Sequence, residues 1–245
     1  MKILLLAGTG EARDVARGLV ARGHQVIASL AGATRAPKDL GCETRFGGFG
    51  GDAGFEAWLD RNPVDLVIDA THPFAHRITD RTARICAARG LGYAQLLRPA
   101  WEQRDGDRWT FIDHASEASD HISPGARVFL ATGRQTLEQF AGLSQSYLIC
   151  RQIDPPDGPF PFPNGEFLIG RPPFSVVDEV ALFQRLKIDW LVVKNAGGEM
   201  SRSKLDAARE IGLRVLMLNR PAMPDAPKVD TVDALLEWVD AYHPG

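Results

Sequence analysis

Short, uninterrupted apolar runs alternate with longer amphipathic stretches along the first hundred residues of the chain. The predicted strands are 3–7, 25–30, 66–70 and 93–97. The predicted helices are 11–22, 55–61 and 76–89. An apolar run without alternation belongs to a strand that is buried on both faces, which is typical of parallel sheets. The pattern therefore predicts an α/β fold with a parallel sheet and helices on either side.

The second half of the chain resembles the first at a spacing of about 122 to 124 residues. The matching segments are 4–10 with 128–133, 65–68 with 189–193, and 90–100 with 212–222. Three matches in the same order predict two similar Rossmann-like units, with the active site in the cleft between them. We place the boundary near Ser123-Pro124-Gly125, so that the domains are 1–124 and 125–245.

Composition excludes several classes of protein. The net charge of -3 and the absence of a basic run argue against a nucleic-acid partner. Three distant cysteines without a CxxC motif predict neither a disulfide framework nor a zinc cluster. The apolar start of the chain is too short for a signal peptide, and no run reaches the roughly 18 apolar residues of a membrane span. We expect a cytoplasmic protein with a small-molecule partner and no membrane contact.

The segment Gly8-Thr9-Gly10-Glu11-Ala12-Arg13 follows the first strand as a dinucleotide fingerprint does, except that Arg13 replaces the third glycine. One interpretation is a tight turn without a ligand. The other is a diphosphate site, in which the two glycines admit the phosphates to the helix N-terminus and Arg13 reaches toward them. Glu11 suits a phosphate poorly, and we expect it to face solvent.

The end of the second predicted strand lacks the acidic residue that usually holds the ribose of NAD. Ser29 lies there instead, followed by Thr34, Arg35 and Lys38. A hydroxyl and nearby cations suit a 2′-phosphate and indicate NADPH, although a basic solvated loop has the same composition. Gly47 and Gly48 belong either to a flexible connector or to backbone near the middle of the cofactor. The predicted cofactor-binding residues are Gly8, Thr9, Gly10, Arg13, Ser29, Arg35, Gly47 and Gly48.

The segment Asp69-Ala70-Thr71-His72 follows the fourth apolar run, at the sheet edge where open α/β proteins bind ligands. Thr71 either caps the next helix while His72 packs in the turn, or both line the nicotinamide and substrate pocket. The candidate catalytic residues are Asp69, Thr71 and His72. His72 and His76 have the spacing of a metal pair, but Pro73 interrupts them and a third ligand is not evident, so we predict no metal site.

Polar and glycine-containing segments also follow the predicted strands of the second unit. The candidate substrate-binding residues are Thr132, Arg134, Ser175, Lys194, Asn195, Gly197 and Arg220. Each cation alone has the character of a surface residue, and only their grouping at strand ends favours an anionic ligand. The proline-rich segment 154–165 cannot form a helix or a central strand and predicts a surface loop, in the role of a rim or lid.

The motifs GTGEAR, DATHPFA, PFS, VVKNAGG followed by KLDAAR, and a late RP together resemble the precorrin-6A reductase family of cobalamin biosynthesis, also called precorrin-6x reductases. The resemblance covers nearly the whole chain, although Asn195-Ala196 stands where family members more commonly have Ser or Asp-Ser.

This resemblance implies NADPH-dependent reduction of one double bond of a metal-free, polycarboxylated tetrapyrrole, with hydride to C19, a proton to C18 and precorrin-6B as product. It also implies transient contact with neighbouring enzymes of the pathway. Arg134, Lys194 and Arg220 would meet the substrate carboxylates. The proton donor stays open between His72, Asp69, a water and a substrate carboxyl group. Two other functions stay open: an NADP-binding sensor without turnover, and a reductase of a different anionic substrate.

Overall fold

A computed structural model describes residues 1–31 and 39–244 of the chain. The strands within these residues are β1 (Lys2–Ala7), β2 (Gln25–Leu30), β3 (Glu43–Phe46), β4 (Leu66–Ala70), β5 (Gly92–Leu96), β6 (Trp109–Ile112), β7 (Arg127–Leu130), β8 (Tyr147–Gln152), β9 (Gly165–Ile169), β10 (Trp190–Lys194), β11 (Arg214–Leu218) and β12 (Lys228–Val229). The α-helices are α1 (Glu11–Ala21), α2 (Gly51–Arg61), α3 (His76–Ala88), α4 (Ala118–His121), α5 (Val176–Arg185), α6 (Ser203–Glu210) and α7 (Val232–Ala241). Shorter 3₁₀ turns cover Ala115–Glu117 and Glu199–Ser201, and a longer 3₁₀ segment covers Arg134–Leu143.

The strands form two six-stranded sheets with orders β12-β5-β4-β1-β2-β3 and β6-β11-β10-β7-β8-β9. Every strand pair in both sheets is parallel. The prediction of an α/β fold with two similar parallel-sheet units is confirmed. The strands β1, β4 and β5 occupy the same places in the first sheet as β7, β10 and β11 in the second, as the three sequence matches predict.

Both faces of the first sheet are covered, which explains why its strands lack alternation. On one face, Ile3 and Leu5 of β1 pack in the core that α1 and α7 complete. On the other face, Leu4 and Leu6 pack against residues of α2 and α3. Gly18 permits the contact between α1 and α7, because a Cβ on it would lie 2.5 Å from Leu236 Cδ1.

The chain divides into compact units at places other than the predicted boundary. One unit comprises residues 1–99 and 221–245, and the other comprises 100–220. The reason is that each sheet takes its outermost strand from the other half of the sequence: β6 pairs with β11, and β12 pairs with β5. These two units therefore replace the predicted domains 1–124 and 125–245.

The proline-rich segment contains no helix or strand until β9 begins at Gly165, and most of its residues are exposed. The prediction of a surface loop is confirmed for residues 154–164. None of the helices in the described part of the chain combines the length and hydrophobicity that a membrane span requires.

Candidate functional site

The turn between β1 and α1 lies at the carboxyl edge of the first sheet, where the strand order reverses direction. A Cβ on Gly8 would lie 3.3 Å from Thr71 Cα and 3.4 Å from the His72 nitrogen. The Thr9 hydroxyl donates a hydrogen bond to the carbonyl of Ala70 at 3.0 Å. The turn is thus fastened to the segment after β4, and this close backbone approach favours a glycine at position 8.

The N-terminus of α1 has the features of an anion site. Gly10 is the N-cap residue and supplies no side chain to the first-turn N–H groups. Arg13 contributes a guanidinium whose Nε is buried and has no hydrogen-bond partner among the described residues. An uncapped helix N-terminus beside an unpartnered guanidinium N–H can accept a phosphate group.

Glu11 does not face solvent as predicted. Its carboxylate forms an ion pair with Arg98, 2.7 Å from Nη1, and both side chains are largely buried. Burial by itself raises the pKa of Glu11. A hydrogen bond from a backbone N–H and the charge of Arg98 outweigh this effect, so the pKa of Glu11 lies below its ordinary value. The expectation failed because Arg98, which follows β5, is brought to this turn only by the folded sheet.

Ser29 at the end of β2 holds a second guanidinium. Arg45 of β3 lies opposite Ser29 in the strand register and donates from Nη1 to the Ser29 hydroxyl at 2.6 Å. Its Nη2 donates to the carbonyl of Gly48 at 3.1 Å, and the guanidinium lies 3.9 Å from the centroid of the Phe49 ring. The backbone of Gly47, with φ of 94°, leads into this segment. A cation is therefore fixed at the strand end where the cofactor ribose is expected.

Thr34, Arg35 and Lys38 lie outside the described residues. The predicted contact of Arg35 with a 2′-phosphate therefore stays a prediction.

Asp69 is completely buried at the end of β4, and its carboxylate accepts four hydrogen bonds. One oxygen accepts from the backbone N–H of Thr71 at 2.9 Å and from its hydroxyl at 2.6 Å. The other accepts from the hydroxyls of Thr79, at 2.7 Å, and Tyr93, at 3.1 Å. Burial and the Asp69 charge raise the pKa of Tyr93, which keeps its hydroxyl protonated as a donor. This arrangement suits an ionised carboxylate that fixes the backbone after β4.

His72 is half-buried, and its Nδ1 accepts a hydrogen bond from the backbone N–H of Phe74 at 3.2 Å. A neutral imidazole with this acceptor carries its proton on Nε2. The interpretation of Thr71 as a helix cap is wrong, because α3 begins at His76 with Ala75 as its N-cap residue. The Thr71 hydroxyl instead bonds to Asp69, which orients the turn that carries His72.

In the second unit, Thr132 is buried just beyond β7, and its carbonyl accepts a hydrogen bond from the Thr136 hydroxyl at 3.2 Å. Arg134 is half-exposed and pairs with Asp157 of the proline-rich loop at 3.0 Å. Arg171 pairs with Asp154 of the same loop at 3.4 Å. The loop is thus connected to a predicted substrate-binding cation.

Asn195 binds a segment that sequence reasoning did not connect with it. Its side-chain oxygen accepts from the Trp101 backbone N–H at 2.8 Å, and its amide donates to the Trp101 carbonyl at 3.1 Å. The Trp101 indole donates to the carbonyl of Gly198 at 3.0 Å. The hydrogen bonds of the Asn195 side chain therefore have a structural function: they anchor Trp101, where the chain enters the second unit.

Lys194 and Arg220 do lie at neighbouring strand ends: Lys194 is the last residue of β10, and Arg220 follows β11 by two residues. Arg220 Nε donates to the carbonyl of Asn195 at 2.7 Å, and burial lowers the pKa of Lys194. Gly197 follows with φ of 68°. This edge of the second sheet therefore gathers two of the three predicted cations.

Ser175 has a structural function within the second unit. Its hydroxyl accepts from the backbone N–H of Asp178 at 3.1 Å and caps α5. The same hydroxyl donates to the Asp178 carboxylate at 2.6 Å.

Sequence reasoning missed four residues of these sites: Arg45, Thr79, Tyr93 and Arg98. Arg45 is detectable in principle, because a parallel pairing of residues 43–46 with β2 puts it opposite Ser29. The other three act through contacts between elements that are distant in sequence, and no local pattern identifies them.

Comparisons with known proteins agree with this architecture. The family model described as "Precorrin-6x reductase CbiJ/CobK" matches residues 2–240. The precorrin-6A reductase of Rhodococcus erythropolis is 42% identical over 241 residues, which are 97% of this chain and 97% of that protein. That of Rhodobacter capsulatus is 39% identical over 97% of this chain and 95% of its own length. A solved structure of CobK precorrin-6A reductase is 38% identical, covers 98% of this chain and 96% of its own, and has a TM-score of 0.93. The resemblance found in the motifs is confirmed: the chain belongs to the precorrin-6x reductase family of cobalamin biosynthesis.

Proposed function

We propose that this chain reduces precorrin-6A to precorrin-6B with NADPH, delivering hydride to C19 and a proton to C18. The relatives named above support the substrate. The observation that carries the proposal is the fastened turn after β1, which puts an uncapped helix N-terminus beside Thr71 and His72.

The residues of the first unit fit a nicotinamide dinucleotide. The helix N-terminus at Gly10 and the unpartnered Nε of Arg13 suit the diphosphate, together with the backbone of Gly8 and Thr9. The bound cofactor would supply the hydride, from C4 of its nicotinamide. The protein therefore has to orient the two reactants, exclude water and deliver one proton.

The choice of NADPH over NADH rests on the end of β2. Among the described residues, the last positions of β2 carry no acidic side chain to bind a 2′-hydroxyl, whereas Arg45 is held in place by Ser29 and by the backbone of Gly48. A fixed guanidinium matches a phosphate and disfavours a site selective for NADH. Gly47 would bring bare backbone to the same ribose.

We assign the proton transfer to His72 rather than to Asp69. The Asp69 carboxylate is fully buried and accepts four hydrogen bonds, so its oxygens are engaged within the protein and do not reach a substrate. His72 is half-buried and carries its proton on Nε2 when it is neutral. Asp69 and Thr71 then act as positioning residues, because they fix the backbone that carries His72.

For the tetrapyrrole, Arg134, Lys194 and Arg220 are the proposed partners of its carboxylates. Arg134 already binds a carboxylate, that of Asp157, in a half-exposed ion pair that a substrate can replace at little cost. Ser175 and Asn195 are weaker candidates than the other residues, since capping α5 and anchoring Trp101 account for their side chains.

The test is anaerobic turnover of precorrin-6A by the purified protein, with NADPH oxidation and the visible spectrum of the tetrapyrrole followed together. We expect one NADPH to be consumed for each pigment converted, and a much lower rate with NADH. NADPH binding without either signal would refute the proposed substrate, and it would favour a cofactor-binding sensor or a reductase of another compound.

A further inference from the structure

Three buried polar atoms lie at the carboxyl ends of β7 and β8 without a hydrogen-bond partner among the described residues. They are Thr132 Oγ1, Gln152 Oε1 and Gln152 Nε2. Thr132 is 7% exposed and Gln152 is 8% exposed. An unpaired polar group inside a protein costs stability, and folded proteins keep few of them. A partner that binds at this point would explain why the chain retains three together.

The two side chains belong to adjacent positions of the same sheet edge. Leu130 pairs with Cys150 in the register of β7 and β8, and Thr132 and Gln152 each lie two residues further along. Gln152 is the last residue of β8, so alternation puts its side chain on the same face as Cys150, while Thr132 lies in the bend that follows β7. Arg151, which directly precedes Gln152, points to the opposite face of the sheet, where it forms an ion pair with Glu179 of α5. Thr132 and Gln152 therefore lie at the carboxyl ends of two adjacent strands, on one edge of the sheet.

We propose that Thr132 and Gln152 form a subsite for one carboxyl side chain of the tetrapyrrole substrate, an inference that rests on the proposed function. The two oxygens of a carboxyl group accept hydrogen bonds from the Gln152 amide and the Thr132 hydroxyl. A protonated carboxyl group also donates to the amide oxygen, which gives every unpaired atom a partner. The subsite is neutral, unlike the cations at the other strand ends, so it adds directional hydrogen bonds rather than charge.

The two chain segments that follow Thr132 and Gln152 control access to these side chains. Arg134 follows Thr132 by two residues, Asp157 follows Gln152 by five, and their ion pair joins the two segments. Both members of that pair are well exposed, and an exposed ion pair breaks easily. A ligand carboxylate that binds Arg134 would release Asp157 and open the segments next to the subsite.

The experiment compares Gln152→Met and Thr132→Val with the wild type by titrating precorrin-6A into the protein without NADPH and following the pigment spectrum. We expect the tetrapyrrole Kd to rise about tenfold in each variant, as the loss of a hydrogen bond to a carboxyl group predicts. The NADPH Kd should not change. The Tm should stay equal or rise, because each substitution removes an unpaired buried polar group.

Two control variants accompany them: Gln135→Met, which alters an exposed glutamine of the 3₁₀ segment 134–143, and Thr132→Ser, which keeps the hydroxyl. Both should bind the tetrapyrrole as the wild type does. An unchanged tetrapyrrole Kd in Gln152→Met and Thr132→Val overturns the subsite, as does a change confined to NADPH. A Kd that rises only in Gln152→Met together with a fall in Tm also overturns it, since that result indicates a structural role.

Because the readout is binding, a wild type that binds precorrin-6A but does not reduce it would refute the proposed function and leave the subsite supported. A wild type that does not bind the tetrapyrrole would refute both.

Discussion

Replacing Arg45 with alanine should weaken the binding of NADPH much more than the binding of NADH. The guanidinium has five N–H donors, of which one bonds to Ser29 and one to the carbonyl of Gly48. Three donors remain for a phosphate, and the two existing bonds hold the group in place, so little side-chain entropy is lost when a ligand binds. A charge-assisted contact of this kind contributes about 1.5–3 kcal/mol. The Kd for NADPH should therefore rise about 10- to 100-fold in Arg45→Ala.

The Kd for NADH should change by less than about threefold, since that cofactor has no 2′-phosphate and a factor of three corresponds to about 0.6 kcal/mol. Fluorescence titration of both cofactors measures the two constants on the same preparation. Arg17→Ala is the matched control, because Arg17 lies exposed on α1 and its nearest carboxylate, that of Asp14, is 4.0 Å away. Arg35→Ala should be titrated in parallel, because the sequence assigns Arg35 to the same phosphate.

An equal loss for both cofactors in Arg45→Ala would refute the reasoning, because it would show that Arg45 acts through its packing on Phe49. No loss for NADPH in Arg45→Ala, with a large loss in Arg35→Ala, would assign the phosphate to Arg35 instead.

Three further predictions concern stability and reactivity. Glu179→Ala should lower the free energy of unfolding, measured in urea, by about 3–5 kcal/mol, because it leaves the buried Arg151 guanidinium without its bidentate partner. A double variant, Arg151→Met with Glu179→Leu, should recover most of this loss. Cys42 should react with iodoacetamide well before Cys86 in the native protein at pH 8, since burial raises the pKa of Cys86 to about 12. Peptide mass mapping measures the two rates, and equal rates would contradict this prediction. The pKa of Glu11 is lower in the folded protein than its ordinary 4.5, so its contribution to stability is present above that pH and is lost as pH falls through the folded-state pKa. Unfolding curves of wild type and Glu11→Gln should therefore converge as the pH falls through the folded-state pKa of Glu11, and a constant difference would refute the assignment.

Much of the fold follows from local patterns. Strands that are buried on both faces appear in the sequence as continuous apolar runs. The sequence therefore predicted β1, β2, β4 and β5, the helices α1 to α3 and the repeat. The places of β6 and β12 were not predictable. Each is a short strand that joins the sheet of the other sequence half, and the pairing of Lys228 with Gln95 spans more than a hundred residues. A boundary drawn from composition cannot detect such an exchange.

The same distinction applies to the candidate site. The glycine turn and the segment from Asp69 to His72 are continuous in sequence, so their position at strand ends was predictable. The donors that surround Asp69 were not, because Thr79 belongs to α3 and Tyr93 to β5. These donors favour a positioning role for Asp69, since a buried carboxylate whose oxygens accept four hydrogen bonds fixes the backbone around it.

The two units differ at a position that the repeat makes equivalent, just beyond β1 and β7: Gly8 in the first and Thr132 in the second. In the first unit the backbone of Thr71 and His72 lies close to Gly8, and a Cβ there would be in tight contact with it. In the second unit the corresponding segment after β10 turns to Trp101 through Asn195, and a threonine fits at the edge. A closed backbone turn beside a helix N-terminus suits the repetitive phosphates of a nucleotide, whereas side chains at the strand ends can be varied to match one substrate. This difference agrees with the proposed division of roles, in which the first unit binds the cofactor phosphates and the second unit binds the substrate.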